Sequence, residues 1–233
     1  MLIDDIFVSL QGESTLVGEP TIFVRLFGCP LNCIYCDQPQ KKENAKIMSV
    51  EQVLEAVDKL WETNHSQTIC ITGGEPLMQS EEVLELADRL NERYRKTLGT
   101  TDIVVTIETN GIAKVPNREK WREYKLIMDI KCPSSGVTRT DNSYEASLGN
   151  LMNLRTGDEV KFVIAGREDF DYALSIMKEA NRDDLIYLFS PMFYSDNKVC
   201  KTAELLPDWL LHEVPHEFII RLQIQVHKII GVK

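Results

Sequence analysis

The stretch TIFVRLFGCPLNCIYC, residues 21–36, joins a short apolar run to a loop that carries three cysteines in the spacing Cys29-x3-Cys33-x2-Cys36. A short run rich in Ile, Val and Phe is typical of a strand that is buried on both faces of a parallel sheet. Three thiolates can hold three irons of a four-iron four-sulfur cluster, which leaves the fourth iron open to a small molecule. We therefore predict an α/β fold in which a buried strand ends at a metal cluster.

Three other interpretations of the cysteine loop stay open on the residues alone: a structural zinc site, a disulfide, or unrelated buried thiols. A structural zinc normally has four Cys or His ligands, and the four histidines of the chain form no pair near the loop. Cys70, Cys132 and Cys200 stand singly, where a free cysteine is most often a small buried hydrophobic side chain. The spacing of the triplet favours the cluster.

The length and charge of the chain argue against several classes of protein. A chain of 233 residues fits one large α/β domain, so we expect a single domain over residues 1–233. We see no secretion signal and no apolar run of membrane-spanning length, which predicts a cytoplasmic protein with reduced thiols. A formal net charge of −10 argues against a surface that binds nucleic-acid backbones. We therefore expect neither nucleic acid nor a membrane as a direct partner.

Apolar runs of strand length alternate with helical patterns along the chain. The predicted strands cover residues 21–27, 67–72, 103–108, 126–130, 159–164, 186–189 and 218–222. The predicted helices cover residues 50–63, 80–96 and 169–180, with Ser49, Ser80 and Asp169 as candidate N-caps. Repeated strand-helix-strand units predict a mostly parallel sheet with right-handed crossovers.

Five polar or glycine-rich segments each follow a predicted strand. They are the cysteine loop, TGGEP at 72–76, ETNG at 108–111, DIK at 129–131 and SPM at 190–192. Ligands collect at the carboxyl ends of parallel strands, so these segments predict one active site. Gly73 and Gly74 allow a ligand close to the backbone, and Glu75 can accept hydrogen bonds from an ammonium group. An ordinary turn is the alternative for TGGEP, and a solvated strand end is the alternative for Glu108, whose carboxylate suits a ribose diol.

The cysteine triplet, with Tyr35 before its last member, and the GGEP motif at 73–76 resemble the motifs of the radical S-adenosylmethionine (SAM) superfamily. The resemblance implies a partial, incomplete β/α barrel and a four-iron cluster held by Cys29, Cys33 and Cys36. It also implies that SAM binds the open iron, and that one electron from the cluster cleaves SAM to a 5′-deoxyadenosyl radical.

A narrower resemblance covers nearly the whole chain and points to the 7-carboxy-7-deazaguanine synthase family. It is carried by IFVSLQGE at 6–13, Gly18, Pro20, FVR at 23–25, and RLQIQVHK at 221–228. It implies a lyase that contracts 6-carboxy-5,6,7,8-tetrahydropterin to 7-carboxy-7-deazaguanine with loss of ammonia, in queuosine or archaeosine biosynthesis. A homodimer and an electron donor such as flavodoxin or ferredoxin are also implied.

The resemblance assigns residues to each ligand and needs no protein nucleophile, because the cofactor carries the radical. Substrate contacts are expected from Leu10, Gln11, Gly12, Glu13, Arg25, Thr72, His227 and Lys233. Cofactor contacts are expected from Tyr35, Cys36, Asp37, Gly73, Gly74, Glu75, Glu108, Asp129, Ile130, Lys131, Ser190, Pro191, Met192 and Phe193. Arg25 offers a bidentate fork for the pterin carboxylate. A structural ion pair is the alternative for Arg25, a surface position for Lys131, and a structural role for His227.

Two residues depart from the family pattern. Gln38 stands where a Thr or Ser hydroxyl usually binds Mg²⁺, although an amide oxygen can also bind a hard cation. Ser14 stands where Gly is usual.

Two rival functions remain on the residues alone. An activase for a glycyl-radical enzyme would share the cysteine loop, but it would give no reason for the Gln-Gly-Glu segment at 11–13 or for Arg25. A non-enzymatic iron-sulfur electron carrier would need a fully ligated cluster and would have no use for the GGEP motif.

Overall fold

The computed structural model describes residues 1–38, 45–64, 66–98, 103–116, 124–137 and 143–232. The strands are β1 (Leu2–Leu10), β2 (Pro20–Leu26), β3 (Lys46–Ile47), β4 (Thr68–Gly73), β5 (Val104–Thr109), β6 (Tyr124–Ile130), β7 (Glu159–Ile164), β8 (Ile186–Pro191) and β9 (Ile219–Leu222). The α-helices of these ranges are α1 (Val50–Asn64), α2 (Ser80–Leu98), α3 (Ser143–Leu151), α4 (Arg167–Ala180), α5 (Leu206–Glu213) and α6 (Val226–Ile230).

One sheet holds the nine strands in the order β3-β1-β2-β4-β5-β6-β7-β8-β9. From β2 through β4 to β9, every neighbouring pair is parallel. At one side β1 pairs antiparallel with β2, and β3 pairs antiparallel with β1. The sheet does not close, because β3 and β9 form its two edges. The α/β class, the mostly parallel sheet and the incomplete barrel are therefore confirmed.

Each of the seven predicted strands is present, with its ends displaced by no more than a few residues. β1 and β3 were not predicted. Asp4 and Asp5 interrupt the apolar pattern of β1, most of whose residues are only half-buried, so it does not look like a central strand. β3 has two exposed residues, which is too short for a sequence pattern.

The three predicted helices correspond to α1, α2 and α4, and one of the three predicted N-caps is confirmed. The Ser49 hydroxyl accepts a hydrogen bond from the Gln52 backbone N–H, and the Gln52 side chain accepts one from the Ser49 N–H. The N-cap prediction for Ser80 is wrong because a 3₁₀ helix, Pro76–Gln79, runs directly into α2 and gives Ser80 helical angles. The prediction for Asp169 is wrong because Gly166 is the N-cap of α4. Asp169 instead lies in the first turn and accepts a hydrogen bond from the backbone N–H of Ala165.

The core lies between the sheet and the apolar faces of its helices. Val53, Leu54 and Val57 of α1 are fully buried, as the helical spacing of apolar residues predicted. Phe162 of β7 and Phe189 of β8 are fully buried in this core, and their rings contact each other. Within the described ranges, no helix combines the length and the apolar character needed to cross a membrane. The helices pack on the face of the sheet that carries Val24, Ile71 and Val105, which leaves the other face and the carboxyl ends of the strands open for a site.

Candidate active site

A cavity of about 660 Å³ lies at the carboxyl ends of the parallel strands. All five predicted segments contribute to its wall, so the prediction that they come together at the carboxyl ends of the strands is confirmed. The predicted residues in the wall are Leu10, Gln11, Gly12, Glu13, Arg25, Cys29, Cys33, Tyr35, Cys36, Asp37, Gln38, Thr72, Gly73, Gly74, Glu108, Asp129, Lys131, Met192, Phe193 and His227.

Four predicted cofactor contacts lie behind this wall rather than in it. Glu75, Ile130, Ser190 and Pro191 are buried and do not line the cavity. They support the wall from within the core, so the structure does not bring their side chains to the cavity. The predicted substrate contact Lys233 lies outside the described residues.

Glu75 joins two of the rim segments. Its carboxylate accepts hydrogen bonds from the Leu77 N–H at 2.8 Å, the Thr109 hydroxyl at 2.8 Å and the Asn110 N–H at 2.6 Å. Burial raises the pKa of Glu75 in spite of these bonds. The expectation that Glu75 receives an ammonium group is therefore corrected, because the carboxylate is fully buried and already engaged with the protein.

Gly73, the last residue of β4, lies against the backbone at the end of β2. Its φ is +142°, and a Cβ there would overlap the backbone of Leu26. The next two residues continue this contact, since the Gly74 N–H donates to the Leu26 carbonyl and the Glu75 N–H donates to the Gly28 carbonyl. Glycine is thus required where the TGGEP segment meets the start of the cysteine loop.

All three cysteines of the loop line the cavity. Cys29 and Cys36 are exposed and Cys33 is half-buried. The Ile34 N–H donates to the Ser135 carbonyl at 2.9 Å, which anchors the loop to the segment after β6. Burial raises the pKa of the Cys33 thiol, and the nearby Lys131 ammonium partly opposes this shift. Metal coordination would be needed to hold Cys33 as a thiolate.

The three cysteines of the loop fit the ligand set of a four-iron cluster. Among the described residues, no three His, Cys, Asp or Glu side chains are gathered as ligands of one metal ion. Cluster ligands each bind a different iron and therefore stand farther apart than the ligands of one zinc. Three free cysteines that line one cavity fit a four-iron cluster with an open iron.

Arg25 enters the cavity from β2 without a carboxylate partner in the described part of the chain. Its Nε is buried and has no hydrogen-bond partner. The guanidinium carbon lies 5.4 Å from the centre of the Phe7 ring, which packs against one side of it. Among the described residues, no structural ion pair of Arg25 is seen, so its guanidinium group remains available to an anionic ligand.

Glu108, the penultimate residue of β5, lies between two predicted substrate contacts. Its carboxylate accepts a hydrogen bond from the Thr72 hydroxyl at 2.7 Å and a long one from Gln11 Nε2 at 3.4 Å. Gln11 Oε1 in turn accepts from the Glu13 N–H at 3.1 Å. The three side chains form one polar patch on the cavity wall, and the alternative of a solvated strand end does not hold for Glu108.

Two lysines and two carboxylates form an ion-pair network across the cavity floor. Lys161 contacts Glu13 and lies 3.1 Å from Asp129, while Lys131 lies 3.0 Å from the same Asp129 oxygen. The other Asp129 oxygen is buried without a hydrogen-bond partner. The network therefore joins a predicted substrate contact to two predicted cofactor contacts.

The charges of this network stabilise one another. Burial alone would raise the pKa of Glu13 and Asp129, but the nearby ammonium groups outweigh it and lower both values. Burial alone would lower the pKa of Lys161, but Asp129 and Glu13 raise it well above its ordinary value. All of these groups are consequently charged at neutral pH.

The C-terminal segment, residues 223–232, covers one side of the cavity; we call it the tail. The Val226 N–H donates to the Gly12 carbonyl at 3.0 Å, and Gln225 Nε2 donates to Glu13. Lys228 Nζ lies 3.0 Å from the Asp37 carboxylate beside the last cysteine. The tail thus holds together the Gln-Gly-Glu segment and the cysteine loop.

Gly12 and Ser14 lie beneath the tail, at two positions that favour glycine for different reasons. A Cβ on Gly12 would overlap the His227 ring, so only glycine lets the tail lie this close. Ser14 has φ +66°, which is the backbone conformation that glycine adopts most readily. The Ser14 hydroxyl accepts a hydrogen bond from the Leu16 N–H at 3.0 Å, which accounts for a serine at this turn.

Lys161, Gln225 and Lys228 line the cavity but were not predicted as site residues. Lys161 interrupts the apolar run EVKFVI at 159–164, and a charge within a buried strand is a signal that could have identified it. The other two lie in the tail motif, but a motif does not tell which of its side chains face a cavity.

Comparisons with known proteins agree with this geometry. A family model described as the radical SAM superfamily matches residues 24–206. A crystal structure of QueE from Escherichia coli has a TM-score of 0.65 at 19% identity, over 95% of this chain and 93% of that one. Streptococcus suis SuiB bound to S-adenosylmethionine has a TM-score of 0.54 at 14% identity, over 84% of this chain and 48% of that one. These structures share the fold, and the chain is an enzyme of the radical SAM superfamily.

Curated relatives identify the branch of the superfamily. A 7-carboxy-7-deazaguanine synthase of Methanospirillum hungatei is 36% identical, over 100% of this chain and 86% of the relative. Another from Koribacter versatilis is 34% identical, over 99% of this chain and 96% of the relative. The chain belongs to the 7-carboxy-7-deazaguanine synthase family.

Proposed function

We propose that this chain converts 6-carboxy-5,6,7,8-tetrahydropterin to 7-carboxy-7-deazaguanine in 7-deazapurine biosynthesis, and that one cavity holds the pterin beside SAM. Arg25 carries the proposal. Its half-buried side chain lies in the cavity wall with the Nε buried and without a hydrogen-bond partner, and it has no carboxylate partner in the described ranges. A substrate with one carboxylate would supply that partner. A glycyl-radical activase or an electron carrier would give this arginine no role.

The cofactor end of the cavity is built around the cysteine loop. Cys29, Cys33 and Cys36 are the proposed ligands of the four-iron cluster. When bound, the cluster and SAM supply a 5′-deoxyadenosyl radical, so the protein needs no nucleophile of its own. Gly73 and Gly74 give SAM close access to the backbone.

The substrate end lies between β2, β5 and the Gln-Gly-Glu segment. Arg25 binds the pterin carboxylate, while Gln11 and Glu13 offer hydrogen-bonding groups for the edge of the ring. Glu108 orients Gln11 and Thr72 through the hydrogen bonds described above. Fixed polar groups of this kind position a substrate for a radical, which is the main contribution that the protein makes to such a reaction.

The tail limits the access of water to the cavity. It contacts Gly12 through the backbone and Glu13 through a side chain, so it is fixed to the proposed substrate site. Exclusion of water protects a reactive radical from side reactions.

Magnesium is not part of the proposal, because the residues beside the cluster loop do not fit it. Gln38 could offer one amide oxygen, but the neighbouring Asp37 carboxylate lies 3.0 Å from Lys228 Nζ and 3.8 Å from His227 Nε2. A divalent ion at Asp37 would be repelled by the Lys228 ammonium group. It would also have a single carboxylate as ligand, whereas hard cations prefer several oxygen ligands.

The proposal also includes an external electron donor, such as a flavodoxin or ferredoxin, and a cytoplasmic location, where reducing conditions keep the cluster thiols free. A homodimer with a single domain per chain is the expected assembly. Analytical ultracentrifugation would test the assembly independently of activity.

The proposed function is tested with protein whose cluster has been reconstituted without oxygen. We expect an iron-sulfur absorption band, and formation of 7-carboxy-7-deazaguanine from the carboxylated pterin in the presence of SAM and a reductant. SAM cleavage without this product would reject the specific substrate and retain the superfamily chemistry. Lack of an iron-sulfur band would reject both.

A further inference from the structure

Lys228 places a positive charge beside the cluster loop. Its Nζ lies 3.0 Å from the Asp37 carboxylate, which directly follows the proposed cluster ligand Cys36. The lysine side chain is only 9% exposed, although it carries a full charge. Such burial is unusual for a lysine unless an opposite charge holds it in place.

The surroundings of this ammonium group form a site for a cation. The Phe193 ring centre lies 5.6 Å from Lys228 Nζ, which is within the range of a cation–π interaction. Lys228, Asp37 and Phe193 all line the cavity. His227, the preceding residue, also approaches the Asp37 carboxylate at 3.8 Å. One carboxylate, whose side chain is 42% exposed, and one aromatic face thus contact this ammonium group.

We propose that the Lys228 ammonium group supplies the positive charge beside the cluster loop. It holds Asp37 against the tail and takes the place of a divalent cation in this chain. Lys228 acts as a positioning residue, since it holds Asp37 and through it the end of the cysteine loop. The proposal rests on the proposed function, because it assumes a cluster in this loop.

The first test measures metal binding and does not depend on turnover. Mn²⁺ serves as a probe for Mg²⁺, because the free ion gives an electron paramagnetic resonance signal that weakens when the ion binds protein. We expect no specific Mn²⁺ binding to the wild-type protein with its reconstituted cluster. One bound Mn²⁺ per chain that is lost in Asp37→Asn would overturn the proposal.

The second test removes the charge of Lys228. Lys228→Met should lower turnover roughly tenfold or more, which is the usual scale for residues that orient a metal site. Lys228→Arg should retain most of the activity, because it keeps the charge. Lys198→Met is the matched control: Lys198 also pairs with an aspartate, Asp196 at 2.7 Å, but it is 80% exposed and lies outside the cavity wall.

A spectroscopic readout separates positioning from general stability. The resonance spectrum of the reduced cluster with SAM should change in Lys228→Met and not in Lys198→Met, at equal thermal stability. Wild-type turnover and spectrum in Lys228→Met would overturn the proposal. If Lys228→Met does not fold, the Mn²⁺ measurement on the wild-type protein decides. If the wild-type protein shows no turnover, the proposed function fails while the metal measurement still tests Lys228.

Discussion

Arg25 of β2 is paired in register with Thr72 of β4, so a guanidinium and a hydroxyl from neighbouring parallel strands face the same cavity. The hydroxyl is engaged with Glu108, whereas the guanidinium has no carboxylate partner in the described part of the chain. This difference supports the proposal that Arg25 binds the carboxylate of the substrate.

Arg25→Ala should therefore weaken substrate binding and leave the cofactor site intact. A charge-assisted hydrogen bond contributes about 1.5–3 kcal/mol, and about 1.4 kcal/mol is tenfold, so KM for the pterin should rise roughly 10- to 100-fold. Steady-state kinetics and SAM binding would be measured side by side. Arg89→Ala, which changes a surface arginine paired with Glu51, is the control. An equal loss of SAM binding would assign Arg25 a structural role.

Gly12→Ala should displace the tail, because the new Cβ would overlap the His227 ring. A misplacement of about 1 Å near a reacting substrate can reduce the rate roughly 100-fold, so we expect a loss of that order with little change in folding. Faster proteolysis of the tail would report the displacement. Gly149→Ala in α3 is the control, since its Cβ would meet open space and alanine favours a helix. Wild-type rates in Gly12→Ala would contradict this account of the tail.

Lys161→Met should destabilise the folded protein by about 1–3 kcal/mol, because it removes one partner from each of the half-buried carboxylates of Glu13 and Asp129. Urea unfolding at neutral pH would measure this loss. Lys198→Met is again a suitable surface control. A change below about 0.5 kcal/mol, the usual range for a surface substitution, would show that the network contributes little to stability.

The same network predicts a pH dependence. The folded-state pKa of Glu13 and of Asp129 lies below the ordinary values of 4.5 and 3.8, so their pairing stabilises the protein above those values. This contribution is lost as the pH falls through the lowered values. In Lys161→Met both pKa values should rise, and acid unfolding should begin at a higher pH. Coincident acid transitions of the two proteins would exclude this coupling.

Glu75→Gln should lower stability by about 1–3 kcal/mol, because an amide nitrogen cannot accept the hydrogen bonds that converge on the carboxylate. The SAM affinity of the folded fraction should change little, since Glu75 does not line the cavity. Thermal unfolding and SAM titration test the two statements. Glu81→Gln in the exposed first turn of α2 is the control. A large loss of SAM affinity at unchanged stability would restore the ammonium contact.

Local patterns were enough to predict the parallel strands and the rim, because apolar runs and the polar segments after them are neighbours in sequence. They could not predict contacts between distant segments. Lys228 and Asp37 are far apart in the chain, and their pairing exists only because the tail folds back over the cysteine loop. For Glu75, the motif indicated a ligand contact that the structure does not show. Two of the groups that donate hydrogen bonds to its carboxylate, at positions 109 and 110, lie at the end of β5.

The most direct test of the central claim is turnover of the carboxylated pterin by anaerobically reconstituted protein with SAM supplied in less than the molar amount of substrate. In the family reaction, hydrogen returns from 5′-deoxyadenosine to the product, which regenerates SAM, so we predict more than one 7-carboxy-7-deazaguanine formed for each SAM supplied. Accumulation of 5′-deoxyadenosine without 7-carboxy-7-deazaguanine would contradict the account.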